Sequence, residues 1–252
     1  MSVLSGDANA GAVALVTGGG TGIGRATALE LGRTGASVVI CGRREEPLER
    51  TRAELEAMGV DCRARPTDIR EPEQSDALVE EALAAFGRID ILVNNAGGQF
   101  TAPAEEITLK GWRAVHRLTV DATWQLTRSV ALRSMIPNRA GVIFFNAFSL
   151  RRGIAGYAHA ASARAALENL AGSLAAEWGR HGIRVIALAL GNIHTEGLEG
   201  YGDDIDAMAA DVPLGRLGTP EEVAAVTAFL ASPAGGYVSG TTVTIDGGLD
   251  AG

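Results

Sequence analysis

The sequence predicts a doubly wound α/β fold, a seven-stranded parallel sheet with helices on both faces. Three observations point to it. Short runs rich in β-branched residues alternate with longer stretches of helical periodicity from end to end. The strand-like runs are continuously apolar rather than alternating, as in strands covered on both faces. Finally, 33 glycines among 252 residues, at 46% hydrophobic content, suit a close-packed core joined by many tight turns.

In chain order, AVALVT (12–17) is the first strand and leads into a glycine-rich turn and a helix. SVVICG (37–42) is the second, followed by the helical PLERTRAELEAMG (47–59). VDCRARPTD (60–68) lacks a clear apolar run and is taken as the third strand from its place before the helical PEQSDALVEEALAAFG (72–87). ILVNNAG (91–97) and GVIFFN (141–146) are the fourth and fifth strands, with a helical stretch including WRAVHRLTVDAT (112–123) between them. GYAHAASARAALENL (156–170) is helical because alanine is the best helix former. IRVIALAL (183–190) and TVTID (242–246) complete the strands, and 195–215 is the one long irregular stretch. Parallel neighbours joined by right-handed crossovers put helices on both faces. With no boundary, repeat or low-complexity tract in view, one domain is expected over 1–252.

The net charge of −8 gives no basic footprint, which argues against nucleic acid or an anionic membrane as partner. MSVLSGDANA has neither the positive start nor the apolar core of a secretion signal, and no apolar run approaches the ~18 residues of a membrane span. Cys41 and Cys62 form no metal or disulfide pattern and read as buried thiols of a cytoplasmic protein. No metal is expected.

The richest motif is TGGGTGIG (17–24), set between a strand and a helix. Gly18, Gly22 and Gly24, with Gly20, Thr21 and Ile23 completing the turn, let the backbone approach a pyrophosphate seated on the helix N-terminus. The second strand ends CGRRE, with Arg43 and Arg44 where an NAD-binding chain carries an acid. A 2′-phosphate fits there, so the expected cofactor is NADP(H). Asp68 and Ile69 follow the third strand, where the carboxylate accepts from an adenine amino group. Asn94, Ala96 and Gly97 of NNAG end the fourth strand where the cofactor crosses the sheet.

Together the glycine turn, NNAG, and the carboxyl-terminal GRLGTPEEVAAVTAFLAS and VSGTTVTIDGG resemble the short-chain dehydrogenase/reductase superfamily over essentially the whole chain. NNAGGQF (94–100), AEEITLKGW (104–112) and HAASARAALENL with LAAEWGRHGIR are similar to its peroxisomal-type trans-2-enoyl-CoA and 2,4-dienoyl-CoA reductase branch. The resemblance implies a Rossmann-like fold, NADPH as cofactor and a homotetramer built through two long central helices and the last strand. It also implies that Gly191, Ile193 and Thr195 of GNIHTEG flank the nicotinamide amide and phosphates.

The superfamily's reactive residues are a Tyr-x-x-x-Lys helix, a Ser about thirteen residues before the Tyr, and an Asn on the preceding long helix. Aligned on SARAAL, this chain has Arg164 at the Lys position and Ala160 at the Tyr position. Thr119 stands for the Asn, and Ala147 for the Ser, with Ser149 the nearest hydroxyl. The tetrad is therefore degenerate. Tyr157, Ala160 and Arg164 share a helix face, so Tyr157 is a candidate proton donor one turn early. Arg164 keeps a positive charge beside the ribose but cannot relay a proton, since it stays protonated. His159 adjoins the site and titrates near neutrality, though its angular position turns it beside the pocket. His116 is a candidate for a buried position one turn before Thr119, while Asp121 is expected to face away. The candidate catalytic residues are thus Tyr157, Arg164, Ser149, Thr119 and His159.

The segment 196–211, EGLEGYGDDIDAMAAD, holds six acidic residues and no basic one. In this superfamily it closes over the substrate, and it argues against a coenzyme A thioester, whose phosphates need cationic partners. The reading favoured is NADP(H)-dependent reduction of a C=C or C=N bond in a small non-CoA molecule rather than of a simple ketone. A redox-silent cyclase or isomerase that keeps the nucleotide as scaffold, and a regulatory protein that only senses NADP, remain open.

Overall fold

The computed structural model describes residues 4–148, 153–199 and 205–251. Seven parallel strands form one sheet in the order β3-β2-β1-β4-β5-β6-β7. They are β1 (Val13–Thr17), β2 (Ser37–Gly42), β3 (Cys62–Pro66), β4 (Ile91–Asn94), β5 (Gly141–Phe148), β6 (Ile183–Leu190) and β7 (Thr241–Ile245). Side chains alternate faces along each strand, and both faces are buried in the inner strands β1, β2, β4, β5 and β6, while the edge strands β3 and β7 are mostly half-buried or exposed. Ala14, Val16, Val38, Ile40 and Phe144 pack on one side with Ala28 and Leu31 of α1 (Gly22–Arg33), Leu48 and Leu55 of α2 (Glu45–Ala57), and Val223 and Ala228 further on. Leu15, Val39, Ile143 and Phe145 pack on the other side with Leu78 and Val79 of α3 (Pro72–Phe86) and with the two long central helices. This double burial is why the inner strands read as unbroken apolar runs, and its absence at the edge is why β3 does not.

The first central helix is continuous from Leu109 to Asn138 but changes winding: α4 (Leu109–His116), a π segment Arg117–Ala122, α5 (Thr123–Val130), a second π segment Ala131–Met135, and α6 (Ile136–Asn138). The second is α7 (Ala158–Trp178). The irregular stretch after β6 proves to hold two short helices, α8 (Glu196–Glu199) and α9 (Ile205–Ala210), before α10 (Pro220–Ala231). β5 runs two residues beyond its apolar run because β6 continues to pair with it, through Ala147↔Ala189 and Phe148↔Leu190. β4 instead stops at Asn94, since the next backbone N–H turns to the Thr17 hydroxyl.

Strand order reverses at β1, whose neighbours are β2 on one side and β4 on the other. At such a switch point, connections leave in opposite directions and open a crevice at the carboxyl ends of the strands. Cys41 and Cys62 are both buried, and desolvation pushes their thiols up to about 12 and about 11. Among the described residues no helix is long and apolar enough to cross a membrane.

Candidate active site

A cleft of about 1060 Å³ lies at the switch point, with the glycine turn and Arg43 at one end and Tyr157, Arg164 and Met208 at the other. Its first half is built from backbone. Gly18 and Gly22 take φ of +66° and +51°, left-handed values that favour glycine. Gly24 is required by proximity: a Cβ there would lie 2.2 Å from the Gly18 carbonyl oxygen and 2.5 Å from Nδ2 of Asn95. Gly20, Thr21, Gly22 and Ile23 line the cleft, while Gly24 sits behind them and lets α1 start close under the turn. Asn95 holds this geometry by donating to the Thr17 carbonyl at 2.9 Å and accepting from Nδ2 of Asn146 at 2.9 Å. That tie between β1, β4 and β5 has no counterpart in the sequence reading. Its only signal was an Asn placed at the end of each apolar run.

Arg43 and Arg44 are exposed at the cleft's edge, and neither forms an ion pair among the described residues. Asp68 lines the same end beside Ile69. Its carboxylate is gripped by Arg70, with Nε at 2.9 Å from Oδ1 and Nη2 at 2.5 Å from Oδ2. That hydrogen bonding, opposed by desolvation and helped by the charge of Arg43, lowers its pKa to about 2. Asp68 is therefore an acceptor at any ordinary pH, partly engaged in advance. Asn94, Ala96 and Gly97 form the floor where the cleft crosses the sheet. Gly191, Ile193 and Thr195 form the opposite rim, and Thr195 stands over Gly22, within 3.3 Å of where a Cβ would be. No metal-binding group of three or more His, Cys, Asp or Glu occurs among the described residues.

The other half is built from side chains. Tyr157 precedes α7 and lines the cleft, with its phenol oxygen accepting from Oγ1 of Thr101 at 2.7 Å. The loop carrying Thr101 is anchored there by the Ala102 N–H to the Gly156 carbonyl, at 3.0 Å. Arg164 reaches in two turns later. Its guanidinium carbon lies 4.1 Å from the Phe148 ring centroid, and Nη2 lies 2.8 Å from where a Cβ on Gly97 would be. Thr119 falls in the first π segment, a type of distortion frequent at functional sites. It lines the cleft with its hydroxyl buried and without a partner.

His159 belongs elsewhere. It is fully buried, outside the cleft lining, with its ring 4.2 Å from that of Phe100 and neither ring nitrogen hydrogen-bonded. Burial first, then the charges of His116 and Arg164, lowers its pKa. His116 is half-buried rather than buried, stacked on Trp112, and Asp121 is exposed. Ser149 lies outside the described residues. Ala160 is fully buried, packed with Val115, Ala163, Val120, Phe148 and Tyr157, and Ala147 lines the cleft from β5. No hydroxyl reaches the cleft from either position. Leu118, Phe148, Ile154, Met208 and Leu249 make the far end largely apolar, and Asp211 is an acidic member of its wall.

Comparison with known proteins agrees with this construction. Residues 18–250 match the family model described as enoyl-(acyl carrier protein) reductase. A Bacillus subtilis protein named "Probable 2,4-dienoyl-CoA reductase" is 39% identical over 240 residues, 93% of this chain and 94% of its own. The structure of a citronellol catabolism dehydrogenase from Pseudomonas aeruginosa superposes with a TM-score of 0.89 at 38% identity, covering 99% of both chains. A Beutenbergia cavernae structure, described as "a putative NAD(P) dependent gluconate 5-dehydrogenase" with NADP bound at low occupancy, gives a TM-score of 0.89 at 38% identity over 96% of this chain and 98% of that one. A glycine cradle at the switch point of a seven-stranded sheet and a family match over nearly the whole length lead to one conclusion: the chain belongs to the short-chain dehydrogenase/reductase family of oxidoreductases.

Proposed function

We propose that the protein is an NADP(H)-dependent reductase of a small, non-CoA molecule, acting on an activated C=C or C=N bond in preference to a simple ketone. The observation that carries the cofactor is the pair Arg43 and Arg44, exposed at the adenosine end of the cleft and in no ion pair among the described residues. Two guanidinium groups there match a 2′-phosphate. The bound NADP of the Beutenbergia cavernae structure supports the same choice. The cradle fits the group, because a Cβ at Gly24 would collide with the turn a pyrophosphate must approach.

When bound, NADPH supplies the reducing equivalent for an electron-poor carbon. The chain's own residues do the rest. N–H groups at the start of α1 would receive its pyrophosphate, and Arg164 would hold the ribose end. Among the described residues Tyr157 is the one phenol at the reacting end, and Thr101 fixes its oxygen. It donates a proton from a position one turn before the usual one. The apolar wall of Leu118, Phe148, Ile154, Met208 and Leu249 excludes water and suits an uncharged, hydrophobic substrate. Relatives named for CoA thioesters need cationic partners for those phosphates, whereas here Asp211 lines the cleft and Glu196 and Asp206 stand exposed near it. The alternative, a redox-silent cyclase or isomerase, draws on the burial of Ala160, which leaves no proton donor at the family's usual place.

A homotetramer fits the side chains left outside. Leu109, Trp112, Trp124 and Leu132 are exposed along the first central helix, and Trp124 stacks on Trp178 of α7 at 6.3 Å. Light scattering measures that state directly.

The functional test is NADPH consumption with enones, cyclic iminium ions, simple ketones and an enoyl-CoA, in wild type and in Arg43→Ala and Tyr157→Phe variants. The expected outcome is turnover of enones or iminium ions, at least about tenfold tighter binding of NADPH than NADH, and loss of that preference in Arg43→Ala. Tyr157→Phe should lose about 10²-fold or more in rate. Efficient turnover of enoyl-CoA overturns the substrate class, and product formed without NADPH consumption favours the isomerase.

A further inference from the structure

We propose that Phe100 is a positioning residue: by seating its ring on the two central helices it fastens the loop after β4, and the fastened loop holds Thr101 against the phenol of Tyr157. The inference rests on the reading above, in which Tyr157 donates the proton. Gly97, Gly98 and Gln99 line the cleft, whereas Phe100 stands outside its lining. The Phe100 ring centroid lies 4.2 Å from that of His159 at a tilt of 32°. His159 is fully buried with neither ring nitrogen hydrogen-bonded, so it offers a flat face rather than a polar partner. The edge of the Phe100 ring meets the first turn of α4, where a Cβ on Gly111 would fall 2.8 Å from Cζ and 3.3 Å from Cε1. The first of these is a clash, so the seat depends on glycine at 111.

Nothing in the backbone asks for that glycine. Gly111 has no left-handed φ, and its N–H donates to the capping Thr108 hydroxyl at 3.1 Å, as in any first helical turn. Glycine within a helix is otherwise unfavourable, and the ring is what its missing side chain accommodates. On the other flank of Thr101, the Ala102 N–H donates to the Gly156 carbonyl at 3.0 Å. Gly156, at φ +80°, would place a Cβ 3.0 Å from Cγ2 of Thr101. Thr101 is therefore held from both sides of the chain. It is exposed, so water competes for its hydroxyl, and the bond to Tyr157 gains from a loop ordered in advance. A phenol carries one proton. With its oxygen accepting from Thr101 at 2.7 Å, Tyr157 keeps that proton for another acceptor.

The experiment uses the full chain and two readings: amide hydrogen exchange by mass spectrometry, and steady-state turnover of the enone or iminium substrate. A thermal melt of each variant checks folding. Phe100→Ala removes the ring, and Gly111→Ala pushes it off its seat. Both should speed exchange in residues 98–104 about tenfold while the amides of α1 and β1 stay as protected as in wild type. In the double variant Phe100→Leu with Gly111→Ala, the shorter side chain makes room for the methyl, and exchange should be slower than in Gly111→Ala alone. Phe100→Ala should lower kcat about tenfold with NADPH affinity within about twofold of wild type, and in a Tyr157→Phe background the same change should cost less than about twofold. Wild-type exchange in both single variants, or an equal rate loss in both Tyr157 backgrounds, overturns the proposal. A failure of the underlying reading shows separately: Tyr157→Phe then turns over at the wild-type rate whatever the loop does, and the fastening has no proton donor to serve.

Discussion

His159 shows how a residue's neighbours decide its role. Its side chain type and its place beside the site suggest proton transfer, yet the ring is fully buried against Phe100 with both nitrogens unpartnered. Such a group is held neutral, its pKa lowered by burial and by the charges of His116 and Arg164. Unfolded, it titrates near ~6.5. Below that pH the unfolded chain takes up the proton first, so the stability contributed by neutral His159 is present above ~6.5 and is lost as pH falls toward the lowered folded value. Asp68 and Glu222, both depressed to about 2, keep their contributions until the pH falls through ~4. Denaturant titrations between pH 7.5 and 5 should therefore show wild type losing stability and His159→Leu losing distinctly less. Parallel curves would place the acid sensitivity elsewhere. Tyr157 is the opposite case. Helical spacing made it a candidate once the family's Tyr-x-x-x-Lys pattern had been laid on the helix, but its partner Thr101 is 56 residues away and no local pattern announces that bond.

At the scale of elements, two helix starts in this chain do different things. α10 begins with a capping box: Oγ1 of Thr219 accepts from the Glu222 N–H at 3.3 Å, and Oε2 of Glu222 accepts from the Thr219 N–H at 2.9 Å. α1 has no side-chain cap at Thr21, and its first N–H groups open on the cleft instead. One end is closed for stability, the other left open for an anion. Thr219→Ala should cost about 1 kcal/mol in denaturant melts and leave NADPH affinity unchanged. Gly24→Ala should abolish NADPH binding, because its Cβ would sit 2.2 Å from the Gly18 carbonyl and the turn must move. Binding retained in Gly24→Ala would show that the turn is not the cradle. The long central helix carries a feature the sequence hid. Its two π segments shift which residues face inward, and the first contains Thr119. The spacing of apolar residues reports an average helical period only, so a local change of winding leaves no mark on it.

For the whole molecule, the sheet order sets the cleft, and a ligand filling it must stabilise the fold, since the unfolded chain has no such cradle. NADPH at about a hundred times its dissociation constant should raise the unfolding free energy by about 2.7 kcal/mol and the melting temperature by several degrees. NADH at the same concentration should do less, and equal shifts would remove the role given to Arg43 and Arg44. The sequence by itself determined the strands, their parallel arrangement, the glycine turn and the two arginines. Most of these are written locally, as a run of apolar residues, a turn only glycine can make or a pair of arginines at a strand end, and only the edge strand β3 had to be placed by its neighbours. The tertiary structure alone decided the reacting end. Whether Ala160 left a gap, where Arg164 pointed, and whether His159 reached the cleft depended on contacts between β5, α7 and the loop after β4, segments far apart in the chain. Backbone motifs carry their geometry within a few residues. Side-chain direction in a packed interior is set by whichever distant neighbours fill the remaining space.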